Sequence, residues 1–152
     1  MQQVDLLEPS KHLLDVAVRK LGAPGAAAAG GWPAGHAIGH SLCIGLQAFQ
    51  PEAGRYDCIW TQWCLLYLTD VDLLALLDRC RAGLSADGIV FVKENTCRSG
   101  FIMDPDDSSL TRSSAYLSEL FERAGWRVLY SAKQKGFPKE LYEVRMFVLR
   151  PR

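Results

Sequence analysis

The sequence predicts an α/β fold, a sheet flanked by helices, and three features predict it. Apolar, strand-like runs alternate with segments of helical period along most of the chain. The run Cys58-Ile59-Trp60-Thr61-Gln62-Trp63 is apolar on both faces, as parallel strands between helix layers are. Gly88-Ile89-Val90-Phe91-Val92 is a β-branched run behind the turn-like Ser85-Ala86-Asp87-Gly88. It leaves the sheet at Lys93-Glu94-Asn95 and opens into a polar loop holding Asp104, Asp106 and Asp107. Open α/β sheets bind ligands outside the carboxyl ends of their strands, so function is expected between Val92 and Ser109. The same loop read blandly is a solvated acidic turn, with Ser108 or Ser109 capping the helix after it.

Val4 to Leu7 reads as a short strand ended by Glu8-Pro9-Ser10, because Pro9 cannot donate to a ladder and Ser10 suits a helix N-cap. Leu14, Val18 and Leu21 then fall on one face of a helix from Lys11 to Leu21. A strand with an acidic residue at its tip and a helix behind it is half of a nucleotide-binding βαβ unit; only three residues precede Val4, so the earlier strand and Gly-rich turn are missing. Residues 22–41, biased to Gly, Ala and Pro, predict a flexible insertion. Its Gly31, Gly35 and Gly39 are not spaced as a phosphate loop. His36, His40 and Cys43 lack a fourth ligand, so no metal site is expected.

Ser41 to Gly45 and Cys58 to Trp63 are the next strands. Thr69 or Asp70 caps a helix to about Leu84, with Leu73, Leu76, Leu77, Cys80 and Leu84 on its inner stripe. After the central loop a helix runs from about Thr111 to Ala124, stopped by Gly125. Residues 126–134 and 141–149 read as two terminal strands, an antiparallel pair.

The whole, residues 1–152, is expected to be one incomplete domain and a monomer. Lys plus Arg equal Asp plus Glu at 17 each, so no net field draws nucleic acid or anionic lipid. No apolar run approaches the roughly 20 residues of a membrane span, and the first residues carry no secretion signal. Five irregularly spaced cysteines read as reduced thiols; a cytoplasmic or nuclear location is expected.

Several short motifs occur in order: Gly45-Leu46-Gln47; Tyr56-Asp57-x-Ile59-Trp60-x-Gln62-Trp63; Leu68-Thr69-Asp70; and Lys93-Glu94-Asn95. Asp104-x-x-Asp107-Ser108-Ser109 with Arg112, and Phe137-Pro138-x-Glu140-Leu141-Tyr142, complete the set. Together they resemble the α-N-terminal protein methyltransferases, Class I enzymes dependent on S-adenosylmethionine. The resemblance runs from about Val4 to Leu149, interrupted by residues 22–41. It implies a Rossmann-like sheet lacking its first strand and Gly-rich turn, and methylation of the free α-amine of protein N-termini reading Xaa-Pro-Lys. It places cofactor contacts on Glu8, Pro9, Ser10, Leu46, Gln47 and Gln62, and substrate contacts on Trp63, Asn95, Asp104, Asp107, Ser109 and Tyr142.

Asp107 would be the base that frees the amine, Asn95 would hold the substrate's first carbonyl, and Tyr67, standing where better-known members carry His, could only orient. From the residues alone, Leu46 and Trp63 also read as core and Gln62 as a buried amide. Without the Gly-rich turn this chain is expected to bind the cofactor weakly or not at all. Two other readings stay open: a non-catalytic remnant that binds protein N-termini, and a methyltransferase of a small amine.

Overall fold

The computed structural model describes residues 2–22, 36–138 and 140–152. The chain divides into two compact units, Met1–Phe49 and Gln50–Arg152.

The first unit is built on a parallel pair, β1 (Gln2–Leu7) and β2 (His36–Leu42), with helix α1 (Lys11–Gly22) between them in sequence. Pairing runs from Gln2 opposite His36 to Leu7 opposite Leu42, with a bulge between Val4 and Leu6. Pro9 ends the first strand, the Ser10 carbonyl accepts the amide of Leu14 at 3.0 Å, and α1 buries Leu14. The insertion predicted at 22–41 is therefore corrected in its last part. Residues 36–41 are strand because the ladder with β1 satisfies their backbone, which outweighs the poor strand propensity of Ala37 and Gly39. Positions 23–35 lie outside the described residues.

The second unit holds a four-stranded sheet in the order β3 (Tyr56–Gln62), β4 (Leu84–Thr96), β8 (Glu143–Pro151), β7 (Trp126–Lys133). β3 and β4 are parallel; β8 is antiparallel to both β4 and β7, as the terminal pair predicts. Helices α2 (Asp70–Gly83) and α3 (Ser114–Arg123) bury Leu73, Leu76, Leu77, Leu117, Leu120 and Phe121. On the sheet Val90, Val92, Phe147 and Leu149 are buried, and the Phe121 and Phe147 rings meet edge to face at 5.4 Å.

Three expectations are overturned here. β4 does not leave the sheet at Lys93: it runs on to Thr96, because Lys93, Glu94, Asn95 and Thr96 pair with Met146, Arg145, Val144 and Glu143 of β8. The Ser85–Gly88 turn is a bulge inside β4, between Leu84 opposite Tyr56 and Ile89 opposite Cys58. The acidic loop is a hairpin, β5 (Phe101–Asp104) against β6 (Ser109–Arg112), so Thr111 and Arg112 belong to a strand and α3 starts later.

Helix α2 is capped by Thr69, whose Oγ1 accepts the Asp72 amide at 3.1 Å. Helix α3 is capped by Ser113, which accepts the Tyr116 amide at 3.2 Å, and not by Ser108 or Ser109. At its other end Gly125, at φ 76°, stops the helix, and Arg81 donates to the carbonyls of Ala124 and Gly125 at 2.6 and 3.2 Å. Replacing Ser113 with Ala should lower stability by about 1 kcal/mol in urea unfolding. Ser108→Gly, at a position already held at φ 58°, should cost nothing; the reverse order of effects would put the cap where the sequence suggested it.

Candidate functional site

Two parallel strands that end side by side define an edge, and each unit has one. In the first unit, β1 and β2 finish together at Leu7 and Leu42, and the Glu8 amide donates to the Leu42 carbonyl at 3.1 Å. Glu8 is half-buried at that edge, with one carboxylate oxygen accepting the Ser10 amide at 2.8 Å. Pro9 is exposed beside it, and its carbonyl accepts the Cys43 thiol at 3.6 Å. Beyond β2, Leu46 and Gln47 lie in a short 3-10 turn, Leu46–Ala48. Leu46 is half-buried and not core, Gln47 is exposed, and a Cβ on Gly45 would meet Gln47 Oε1 at 3.0 Å. The unit thus offers a carboxylate, an apolar side chain and an amide at the ends of adjacent parallel strands, the set that a nucleoside's hydroxyls and base require. These residues fit the ribose and adenine of a nucleoside cofactor.

In the second unit the corresponding edge is formed by β3 and β4. Gln62, opposite Lys93 at the end of β3, is exposed, which excludes the buried-amide reading; its Oε1 accepts Trp60 Nε1 at 3.3 Å. Trp63 follows at φ 49°, a left-handed backbone rare for a bulky side chain and a mark of a constrained site. Its amide donates to the Lys93 carbonyl at 3.0 Å, and Lys93 Nζ sits 4.8 Å from the indole centroid. The indole is 39% exposed, so it is a surface wall and not core packing. Asn95 lies two positions further along β4, opposite Val144, and exposed Tyr142 stands just before β8 begins. Trp63, just past β3, Asn95, within β4, and Tyr142, just before β8, therefore lie at the same end of one sheet.

The hairpin supplies the acids. Asp104 and Ser109 are directly opposite in the β5–β6 register, as a jointly held ligand would need, though Ser109 is buried and Asp104 exposed. Asp104 accepts the Asp106 amide and Asp107 the Ser109 amide, each at 3.0 Å, so each carboxylate is oriented by one oxygen. Ser108 at φ 58° makes the turn between them. Tyr67, 54% exposed, closes a second 3-10 turn, Leu65–Tyr67.

Two buried charges brace this edge, and the sequence reading assigned a role to neither. Glu94, 2% exposed, accepts the amides of Cys64 and Leu65 at 2.8 and 2.9 Å, both on Oε1. Its Oε2 is equally buried and has no hydrogen-bond partner among the described residues. Arg112, also 2% exposed, donates to the carbonyls of Leu65 and Leu68 at 3.3 and 2.7 Å and to Asp70 at 2.8 Å. Tyr116 donates to the other oxygen of Asp70. Glu94, Asn95 and Arg112 share a cavity of about 10 Å³ with Leu65, Leu66 and Leu110, room for one water at most. A period-two signal was available: Val90, Val92, Glu94 and Thr96 lie on the buried face of β4, so the acid was due to point inward.

Burial pushes the Glu94 carboxyl up to about 7, against the pull of the two amides and of Arg112. Burial and the Glu94 charge push the Cys64 thiol up to about 12, so it stays a thiol. At Asp70 burial works the other way, but the bonds from Tyr116 and Arg112 outweigh it and hold the carboxyl below its ordinary value.

A raised carboxyl keeps a proton in the folded state that the unfolded chain has released, so stability falls as pH rises from 4.5 to about 7. Glu94→Gln removes that loss. Compared in urea unfolding at about pH 5 and about pH 8, the variant should gain on the wild type by on the order of 3 kcal/mol. An equal difference at both pH values would mean that Glu94 ionises as freely in the folded protein as in the unfolded one.

Comparison with known proteins places these features. The family described as AdoMet dependent proline di-methyltransferase matches residues 1–150. The chain is 40% identical over 147 residues to alpha N-terminal protein methyltransferase 1 of Arabidopsis thaliana, covering 97% of this chain and 51% of the relative. It is 38% identical over 147 residues to N-terminal Xaa-Pro-Lys N-methyltransferase 1-B of Xenopus laevis, covering 97% and 61%. A solved SAM-dependent methyltransferase from Leishmania major superposes with a TM-score of 0.84 at 34% identity, over 97% of this chain and 55% of that one. The glycopeptide N-methyltransferase MtfA shares the fold alone, with a TM-score of 0.72 at 12% identity, over 98% of this chain and 72% of that one. The chain spans about half to three-fifths of the length of these curated relatives.

Proposed function

The chain belongs to the AdoMet-dependent proline di-methyltransferase family, and from that premise we propose that it takes part in methylating the free α-amine of protein N-termini reading Xaa-Pro-Lys. The observation that carries the reading is the second unit's edge. An indole wall, a strand amide and a tyrosine lie at the same end of that sheet, and a hairpin sets an aspartate opposite a serine. A Pro-Lys segment needs a flat apolar surface for the ring, donors and acceptors for an extended backbone, and an anion for the ammonium. Trp63 serves the ring, Asn95 the first carbonyl, Tyr142 the backbone, and Asp104 with Ser109 the lysine.

S-adenosylmethionine, when bound, supplies an electrophilic methyl group. Glu8 is assigned to the ribose hydroxyls, with Ser10 fixing its carboxylate and Pro9 ending the strand that carries it. Leu46 and Gln47 are assigned to the adenine.

An ammonium has no lone pair, so the substrate must give up a proton before it can attack. Its α-amine has a pKa of about 7.7–8.0, and a carboxylate that accepts the proton and holds the nitrogen is sufficient. Asp107 is that carboxylate: one oxygen is set by Ser109, which leaves the other for the amine. Tyr67 is assigned an orienting role, through a hydrogen bond from its phenol O–H.

With excess S-adenosylmethionine and a free-amine Xaa-Pro-Lys peptide, mass spectrometry should show slow methyl addition at the terminus, in keeping with a weakly held cofactor, and none on the N-acetylated peptide. Asp107→Asn should lower the rate by about 10²–10⁴-fold with the fold intact by circular dichroism. An unaltered rate in that variant would remove Asp107 from the chemistry. Binding of the peptide without any methyl transfer would favour a module that only holds protein N-termini.

A further inference from the structure

We infer that Glu94 is a positioning residue whose ionised carboxylate sets the Trp63–Tyr67 segment in the form that captures the peptide, so that its protonation releases that grip. The inference rests on the function proposed above and extends it to a residue with no contact to the substrate.

The geometry is specific. Trp63 and Tyr67 flank the turn whose amides, Cys64 and Leu65, both end on Glu94 Oε1. Trp63 is held at φ 49°, a conformation its neighbours must enforce. From the other side Arg112 holds the carbonyls of Leu65 and Leu68, and Arg112 is itself tied to Asp70. The turn is thus gripped at its amide end by an anion and at its carbonyl end by a cation. Arg112 is ion-paired to Asp70, and its charge also acts on Glu94.

Protonation has one place to go. Oε1 is engaged twice, so the proton settles on Oε2, which is buried and unpartnered beside Asn95 and Arg112. The carboxyl then accepts the two amides as a neutral carbonyl, about half as strongly as an anion would, and gains a donor next to Asn95. The groups facing it are Arg112 from β6, the Cys64 thiol from the turn, and Arg145, its cross-strand partner on β8, already bound to Glu143 at 2.8 Å. Arg112 is tied to Asp70 and Arg145 to Glu143, and burial pushes the Cys64 thiol up to about 12, so the response expected through about pH 7 is that of Glu94.

The test uses the full chain and a Pro-Pro-Lys peptide whose terminal nitrogen is already dimethylated. Its charge is permanent, so the peptide's own α-amine does not titrate. In the wild type, NMR should show the Cys64 and Leu65 amide protons shifting together through about pH 7, with peptide affinity rising at least about fivefold from about pH 6 to about pH 8. Glu94→Gln is close to isosteric and keeps an acceptor for the amides; in it the amide titration should vanish and the affinity profile should be flat. The same spectra report whether the variant is folded. Retention of the affinity slope in Glu94→Gln overturns the inference and leaves the function standing, and so do wild-type amides that do not titrate. Titrating amides with no peptide binding at any pH refute the function itself, and the inference with it.

Discussion

The grip on the segment between β3 and α2 is the constraint on which the second unit depends. Five consecutive residues, 64–68, must leave a parallel strand, turn and enter a helix with little regular hydrogen bonding of their own. The Cys64 and Leu65 amides go to Glu94 and the Leu65 and Leu68 carbonyls to Arg112, while the Tyr67 and Leu68 amides return to the carbonyls of Cys64 and Leu65, so the exposed Trp63 and Tyr67 are carried on a turn held largely from below. Arg112 also ends β6, which makes one guanidinium the link between the turn and the hairpin that presents Asp104, Asp107 and Ser109. Removing it would leave the Leu65 and Leu68 carbonyls without their donor, at about 1–3 kcal/mol for each buried group, and the half-exposed Asp70 without its guanidinium.

Both units repeat one arrangement, in which a parallel ladder ends and the residues just beyond it carry the candidate side chains; in the second, β4 runs on beside β8 after β3 has stopped. In the first it yields Glu8 and Ser10; in the second it yields Gln62, Trp63 and Asn95. The antiparallel β8 then enters beside β4 and brings Tyr142 to the same end of the sheet. Within the second unit this gathers Trp63, Asn95 and Tyr142, distant in sequence, at one end of one sheet.

Much of this was legible from the residues. Alternating apolar periods gave the strands and helices their order. Thr69 and Gly125 marked helix ends by cap chemistry, and the family resemblance carried by the motifs named the candidate side chains. What escaped were the places where pairing overrides local character. Lys93-Glu94-Asn95 looks like the start of a loop because it is polar, yet β8 supplies partners for each backbone group. Asp104 to Arg112 looks like an acidic loop with a helix start, yet its two halves pair residue for residue. Residues 36–41 look like linker until β1 lies beside them. No single-chain pattern announces a partner strand, and β propensity yields to the partner when one is present. Glu94 and Arg112 were visible as motif letters, but their roles follow only from burial.

An aspartate or glutamate that is almost wholly buried and paired on one oxygen is an expensive way to hold a turn. A glutamine would accept the same two amides without a charge to desolvate. The raised carboxyl shows that the fold is less stable when Glu94 is ionised, so the anion is not there for stability. What an anion supplies and an amide does not is a stronger hold on two adjacent N–H groups. Those groups fix a tryptophan at a backbone angle that it would not choose unaided. A cost in stability matched to a gain in fixed geometry is the pattern of sites shaped by what they bind. That is the physical reason to read this edge as a capture surface rather than as a well-packed corner of the sheet.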